Sequence, residues 1–483
     1  MTFSGLPPKI VSCGEKKFDN WNDKEICQFM DDPIKNETCT PSVKYDFKSI
    51  NVDFKIYCKD KIHIKNAISI ETVGIILGSI FGGIYSDRNG RRKAIMYGIL
   101  GSSFFGFMCS LSYAFLHIVV YRSLIGFCNG ITLAVLPVYM IEMIGKKDRV
   151  WIMNVITWAP TAVMFSIIAY FAQDWKTLAR VSAFLALPAL FLIWYVEESP
   201  RWLIQHKKVD EAFLSLKRIC TINKKFEDNE DIIRDALNEE MKRLDEQFSR
   251  NKNYSFRHLY YTWDFVKYSL ALIALFFTAS FSKYGIVYNM EQVYGSPYLN
   301  VILIGLSRYV MNLTVAFCDK KFKNLGRKHI LTSFILGIAV AASIIGTLIS
   351  YKVEEYFSEM IRVLQISIVG FTSQFYVIGA ICSAELFPTP IRNMANGQLQ
   401  FFSRIGTVLS PYMFYLTVYD DSAPYFVLLV LTFTTVISFY FFIPETKGKP
   451  LREGMPSKLE KIGYNKLADT EIESTEKSNE LIN

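Results

Sequence analysis

Residues 67–93 read AISIETVGIILGSIFGGIYSDRNGRRK, and a second apolar run opens immediately after them at Ala94. A stretch of about 20 apolar and small residues is long enough to cross a bilayer. The cluster Arg88, Arg91, Arg92 and Lys93 that ends it belongs on the cytoplasmic side of a membrane, where loop Lys and Arg concentrate. Moving outward, the same alternation fills the chain. Apolar runs begin near Ala67, Ala94, Ile118, Ile152 and Leu178, and again near Val266, Tyr298, Ile330, Met360, Met394 and Pro424. About eleven spans of roughly 20 residues each are predicted. Further basic clusters, such as Lys146, Lys147 and Arg149 or Lys447, Lys449 and Arg452, fall in alternate loops. The fold class expected is an all-α polytopic membrane protein with a cytoplasmic carboxyl tail and residues 1–66 outside.

Composition agrees. The 483 residues are 51% hydrophobic and only 20% charged, and the charges are clustered rather than spread along every helix as a wet face requires. A net charge of +8 raises the question of nucleic acid. The Lys and Arg sit at the ends of apolar runs instead of on one exposed face, so the lipid bilayer is the expected partner and nucleic acid is not. No G-x-x-x-x-G-K-[ST] stretch suggests ATP coupling. The five histidines form no metal set, no nucleophile–base pair is evident, and neither a cofactor nor enzymatic activity is expected.

Residues 1–66 are polar and hold Cys13, Cys27, Cys39 and Cys58 beside the sequon Asn36-Glu37-Thr38. Four cysteines next to a sequon predict a disulfide-bonded, glycosylated segment on the outer face, with three pairings possible. A first transmembrane half follows over 67–197, then a cytoplasmic interval over 198–265. In that interval Ile232, Ile233, Leu237, Met241, Leu244 and Phe248 recur at helical spacing among charges. A second half spans 266–444, and a cytoplasmic tail covers 445–483.

The two halves repeat. Glu142 precedes Arg149 by seven residues and Glu385 precedes Arg392 by seven, with matching offsets (385 − 142 = 243; 392 − 149 = 243). Asp87-Arg88-Asn89-Gly90-Arg91-Arg92 is echoed by Asp319…Gly326-Arg327-Lys328, and Glu198-Ser199-Pro200-Arg201 by Glu445-Thr446-Lys447. A duplicated six-helix unit explains all three.

At this point the motifs resemble a known family. Gly82-Gly83-x-x-x-Asp87-Arg88-x-Gly90-Arg91-Arg92 is similar to the signature between the second and third helices of the major facilitator superfamily. Trp175-Lys176-Thr177-Leu178, Glu198-Ser199-Pro200-Arg201-Trp202-Leu203, Glu385-Leu386-Phe387-Pro388-Thr389-x-x-Arg392-Asn393 and Pro444-Glu445-Thr446-Lys447-Gly448 together resemble solute carrier family 22, the organic cation, organic anion and carnitine transporters. Glu197 stands where that family usually has Pro. The resemblance implies two six-helix halves around a cavity that alternates between sides. It also implies that residues 1–66 are the external loop after a first helix missing from this sequence, since eleven spans are odd for a carrier of two halves.

Two constellations carry the expected chemistry. Asp87, Arg91, Glu142, Arg149, Glu198 and Arg201 of the first half, with Glu385, Arg392 and Glu445 of the second, lie at cytoplasmic helix ends. Acids there have no anchoring use, so they are read as a conformational latch between states. Inside the second half, Arg404 and Arg308 lie roughly 15 Å deep, about ten residues into their spans. Lys283 is in the outer third of another span. Asn312, Gln374 and Tyr284 add polarity and an aromatic wall, in company with Trp151, Trp158, Phe276, Phe277, Phe281, Phe375 and Tyr376. No Asp or Glu occurs at midplane depth in any second-half span, which suits a negatively charged substrate group. By resemblance, Ser403-Arg404-Ile405-Gly406-x-x-x-Ser410-Pro411 is similar to the anion and carnitine carriers, whereas cation carriers hold Asp in place of Arg404. Lys283 replaces a usual Tyr. The expected activity is transport of a small organic ion across the plasma membrane, favouring an anion or a carnitine-like zwitterion. An organic cation carrier, or a truncated membrane protein that transports nothing, are the alternatives. The coupling ion is open.

Overall fold

The computed structural model describes residues 3–13, 16–18, 21, 23–30, 41–143, 159–222, 234–235, 237–239, 241–242, 256–321 and 326–446. The sequon at Asn36, Cys39, Arg149, Trp151, Trp158 and most of the expected 228–248 helix lie outside these residues.

The polar amino-terminal segment is folded, and it is not purely helical. Strands β1 (Lys9–Cys13), β2 (Lys16–Lys17) and β3 (Pro41–Lys44) form an antiparallel sheet in the order β2-β1-β3. Periodicity over so few residues is too weak to foretell such short strands. Helices α1 (Asp23–Met30) and α2 (Ile50–Asp53) complete the segment. A Cys27–Cys58 disulfide ties α1 to the turn before the first span, and Cys13 is also disulfide-bonded.

The first half follows as α3 (Lys61–Asn89), α4 (Arg91–Ser110), α5 (Phe115–Met143), α6 (Ala159–Ala172) and a broken span, α7 (Trp175–Leu185) with α8 (Leu187–Tyr195). Pro188, in the first turn of α8, accounts for the break. Short helices α9 (Pro200–Gln205) and α10 (Val209–Ile222) open the interval between halves. There, Trp202, Leu203, Phe213 and Leu237 bury a small core of their own. The second half comprises α11 (Trp263–Tyr288), α12 (Pro297–Lys321), α13 (Arg327–Ser350), α14 (Ser358–Leu386), α15 (Thr389–Leu409, continued by a 3₁₀ turn over Ser410–Val418) and α16 (Ala423–Phe442).

All eleven expected runs are helical. Eight are long and apolar enough to cross a membrane on length and composition, and Pro160–Ala172 is a shorter apolar helix. The other two, α4 and α15, are diluted by charge. Helix α4 opens on Arg91, Arg92 and Lys93, and α15 carries Arg392, Gln398, Gln400 and Arg404. Outward side chains such as Phe191, Trp194 and Phe441 are exposed apolar surface, suited to lipid.

Lipid tails are as apolar as leucine, so close helix packing rests on small residues. Gly74, Gly78 and Gly82 on α3 face Gly126 and Gly130 on α5. A Cβ on Gly82 would stand 2.7 Å from the Ile131 Cα, and one on Gly130 2.9 Å from the Ser79 nitrogen.

The amino-terminal segment docks on both halves. Phe3, fully buried, stacks on Tyr298 of α12 at 5.1 Å between ring centres and lies 5.8 Å from Phe165 of α6. The Asp53 carboxylate accepts hydrogen bonds from Lys48 of the same segment and from Lys176 and Trp175 of the first half. Partial burial alone would raise its pKa, but these three donors hold it below the ordinary carboxylate value.

Candidate functional site

The repeated charges form two matching clasps, one per half. In the first, Arg91 at the start of α4 pairs with Asp87 and reaches Glu142 of α5 at 3.5 Å. Glu198, just beyond α8, accepts from the backbone N–H of Arg91 at 3.0 Å and of Arg92 at 3.1 Å. In the second, Arg327 at the start of α13 pairs with Glu385 of α14, and Glu445, beyond α16, accepts from the Arg327 and Lys328 N–H groups at 2.9 and 3.1 Å. Glu198 and Glu445 therefore satisfy orphan donors and oppose the positive end of a helix dipole. Gly90 (φ +104°) and Gly326 leave the space these carboxylates occupy, since a Cβ on either would collide with the acid. Glu142 Oε2 and Glu385 Oε2 are both buried without a hydrogen-bond partner among the described residues.

These charges are the ones read from the sequence as a latch between states. The pairs seen in this state lie within one half each, because each acid sits directly over the helix start of its own repeat. Arg201 is exposed on α9, and Arg392 donates to the Phe387 carbonyl at 3.4 Å.

The halves meet on the face that carries the amino-terminal segment. Lys65 of α3 pairs with Glu291 at 3.0 Å and donates to Asn289 Oδ1 at 2.6 Å and to the Tyr288 carbonyl at 3.2 Å. Tyr412 donates to Asn66 at 2.7 Å, and Ser69 to the Val408 carbonyl at 2.8 Å.

Beneath this closure lie three of the expected site residues. Lys283 on α11, Arg308 in the middle of α12 and Arg404 in the middle of the span formed by α15 and its 3₁₀ extension are all half-buried. All three are within electrostatic range of the Tyr284 hydroxyl. The Lys283 ammonium stands 4.4 Å over the Tyr284 ring and 5.4 Å from that of Tyr376 on α14. Among the described residues none of the three cations pairs with an acid, and Arg308 Nε is buried without a hydrogen bond. Ser280 links Tyr376 at 2.7 Å to Ser403 at 2.6 Å, so the residue beside Arg404 is braced against α11. Tyr284 stacks on Tyr288 at 5.3 Å, which connects the cations to the closed face.

Asn312, one turn beyond Arg308 on α12, meets Gln374 of α14. The Gln374 amide donates to Asn312 Oδ1 at 2.7 Å and Ser373 donates to the same oxygen at 3.1 Å, with both amides buried. Through the Asn312 oxygen they join α12 to α14, as buried amides in an apolar bundle bond to one another. Sequence reading missed one ionised pair. Glu71 of α3 and Arg122 of α5 lie 3.9 Å apart within the membrane-spanning part of the first half. Both charges were visible in their apolar runs, and such intramembrane charges are rarely idle.

Comparison with known proteins accords with this architecture. A family model described as sugar (and other) transporter matches residues 27–456. Organic cation/carnitine transporter 2 of Homo sapiens is 25% identical over 437 residues, spanning 88% of this chain and 75% of that protein. Solute carrier family 22 member 4 of Mus musculus is 26% identical over 442 residues, spanning 89% and 76%. Among solved structures, the inward open conformation of the xylose transporter XylE from E. coli matches with a TM-score of 0.63 at 18% identity, covering 81% of this chain and 88% of that one. At that identity the likeness speaks for the fold alone. With two repeated helical halves, matching clasps and a family model covering most of its length, the chain belongs to the sugar (and other) transporter family of the major facilitator superfamily, in the company of solute carrier family 22.

Proposed function

We propose that this protein carries small organic anions, or zwitterions with an exposed carboxylate, across the plasma membrane by alternating access. The observation behind the reading is that Lys283, Arg308 and Arg404 lie half-buried at membrane depth around Tyr284, with none of them paired to an acid among the described residues. A cation in hydrocarbon is retained only where a partner or water reaches it, and a substrate carboxylate or sulfate is such a partner. The relatives' names join organic cations and carnitine. For this chain the cation reading is disfavoured, because three like charges at the site repel a cation.

The basic loops argue that the face opposite the amino-terminal segment is cytoplasmic, which makes the closed face the external one. The two clasps keep each half rigid while the halves rock, and they are the proposed latch. Arg404 is proposed to hold the substrate's anionic group. A charge-assisted hydrogen bond contributes about 1.5–3 kcal/mol, or about ten- to a hundredfold in affinity. In proteoliposomes, Arg404→Ala is expected to lose most anion uptake, and Arg404→Lys to keep part of it without the planar fork. Uptake by Arg404→Ala with an unchanged half-saturating concentration would make Arg404 structural and remove the assignment's main support.

A further inference from the structure

A cavity of about 570 Å³ opens on the face that carries the amino-terminal segment, and none of Lys283, Arg308 and Arg404 lines it. Its two walls belong to bodies that must part when that face opens. One wall is the amino-terminal segment together with Lys61 at the start of α3. The other is the loop between α11 and α12, from Glu291 to Pro297. Glu291 is also the acid held by Lys65, one turn after Lys61, so the cavity is built onto the ion pair of the closure.

The walls favour one kind of ligand. Lys9 of β1 stands directly opposite Lys44 of β3, and both line the cavity. Like charges in that register destabilise a sheet unless something neutralises them. The ion pairs formed nearby use other lysines, Lys48 and Lys176 with Asp53 and Lys65 with Glu291. Among the described residues none pairs Lys9, Lys44 or Lys61 with an acid. Of the two acids in the lining, Glu291 is engaged, which leaves Asp46 against three lysines. Leu6, Pro8, Ile10, Tyr57 and Tyr294 add an apolar wall of a size that suits an organic molecule and that a bare inorganic ion would leave unused.

We propose that this cavity is a regulatory site for a small aromatic anion, which holds the closed face shut without occupying the transport site. Lys9 and Lys44 take the anionic group and the tyrosine rings the flat body. A ligand that touches both walls binds the closed state better than one whose walls have parted, and so stabilises it. Occupation slows transport in a way that added substrate does not relieve.

The probe is 2-naphthalenesulfonate, with naphthalene-2-sulfonamide as its uncharged counterpart, and binding to the purified full chain is read by equilibrium dialysis. The sulfonate should bind and the sulfonamide bind far more weakly. Lys9→Gln with Lys44→Gln should weaken sulfonate binding about tenfold, the sum of two exposed charge contacts, and Lys9→Arg with Lys44→Arg should keep it. Arg404→Ala should leave it unchanged. The paired arginines and the unliganded melting temperatures guard against misfolding. At tenfold its half-saturating concentration, the sulfonate should slow labelling of Tyr284→Cys from that side severalfold, and the two glutamines should remove most of this protection. No binding, binding that survives both glutamines, or binding abolished by Arg404→Ala overturns the proposal. Binding without slower labelling overturns the regulatory role.

Discussion

Asp87 and Glu198 show how two acids in one clasp do different work. The Asp87 side chain is 71% exposed and holds Arg91 from the outside. An exposed ion pair contributes about 0–1 kcal/mol, so Asp87→Asn should leave folding and surface abundance nearly intact. Its effect belongs to the balance between states, and uptake per molecule at the surface should fall severalfold. Unchanged uptake at equal abundance would remove Asp87 from the latch. Glu198, by contrast, accepts from two backbone donors at the start of α4 and from the Ser199 N–H. Glu198→Gln keeps the shape but loses the charge against the helix dipole. It should cost about 1 kcal/mol of stability, measured as a lower melting temperature of the purified protein. The sequence placed both residues at a helix end but did not distinguish them, because a cap and an ion pair look alike until the backbone donors are located.

At the scale of elements, α3 and α5 are held together by the absence of side chains. Gly78 packs directly on the backbone of Phe127, and Gly74 and Gly82 flank it one turn away on either side. With no hydrophobic driving force between helices in lipid, that close approach is what gives the pair its dispersion contacts. Gly78→Leu must push the helices apart. A loss of about 2 kcal/mol or more is expected, from strain of the kind that overpacking brings, visible as a melting temperature lowered by several degrees. Gly83, on the same helix, has open space around its would-be Cβ, and Gly83→Ala is the control that should melt like the unmodified protein. The spacing 74-78-82 stands in the sequence. Its partner helix does not, since two apolar runs of similar composition give no indication of which will touch.

Over the whole molecule, the question is which face is shut. Lys65 spans the halves by reaching Glu291, Asn289 and the Tyr288 carbonyl at once. Tyr288 stacks on Tyr284, the ring beneath Lys283, so the proposed site shares a tyrosine pair with the closure. Lys65→Gln should weaken the closed face and shift the population toward opening there. A cysteine introduced at Tyr284 should then react several times faster with a membrane-impermeant thiol reagent added to the side of the amino-terminal segment. An unchanged rate would show that Lys65 does not hold the gate.

Period, length and charge placement were enough to foresee the helical runs and their duplication, motif resemblance pointed to the family, and the charges of Arg308, Arg404 and Lys283 stood out within their apolar runs. Those properties follow from the solvent: a bilayer imposes apolar length on every span and makes each buried charge conspicuous. Partnership was decided only by tertiary structure. Gln374 bonded to Asn312, Glu198 and Glu445 became helix caps, and the clasps closed within halves, because hydrogen bonds act over about 3 Å between groups far apart in the chain. The amino-terminal sheet and its aromatic seat on Tyr298 had no forecast either, since short strands stabilised by a neighbouring surface leave little periodic trace.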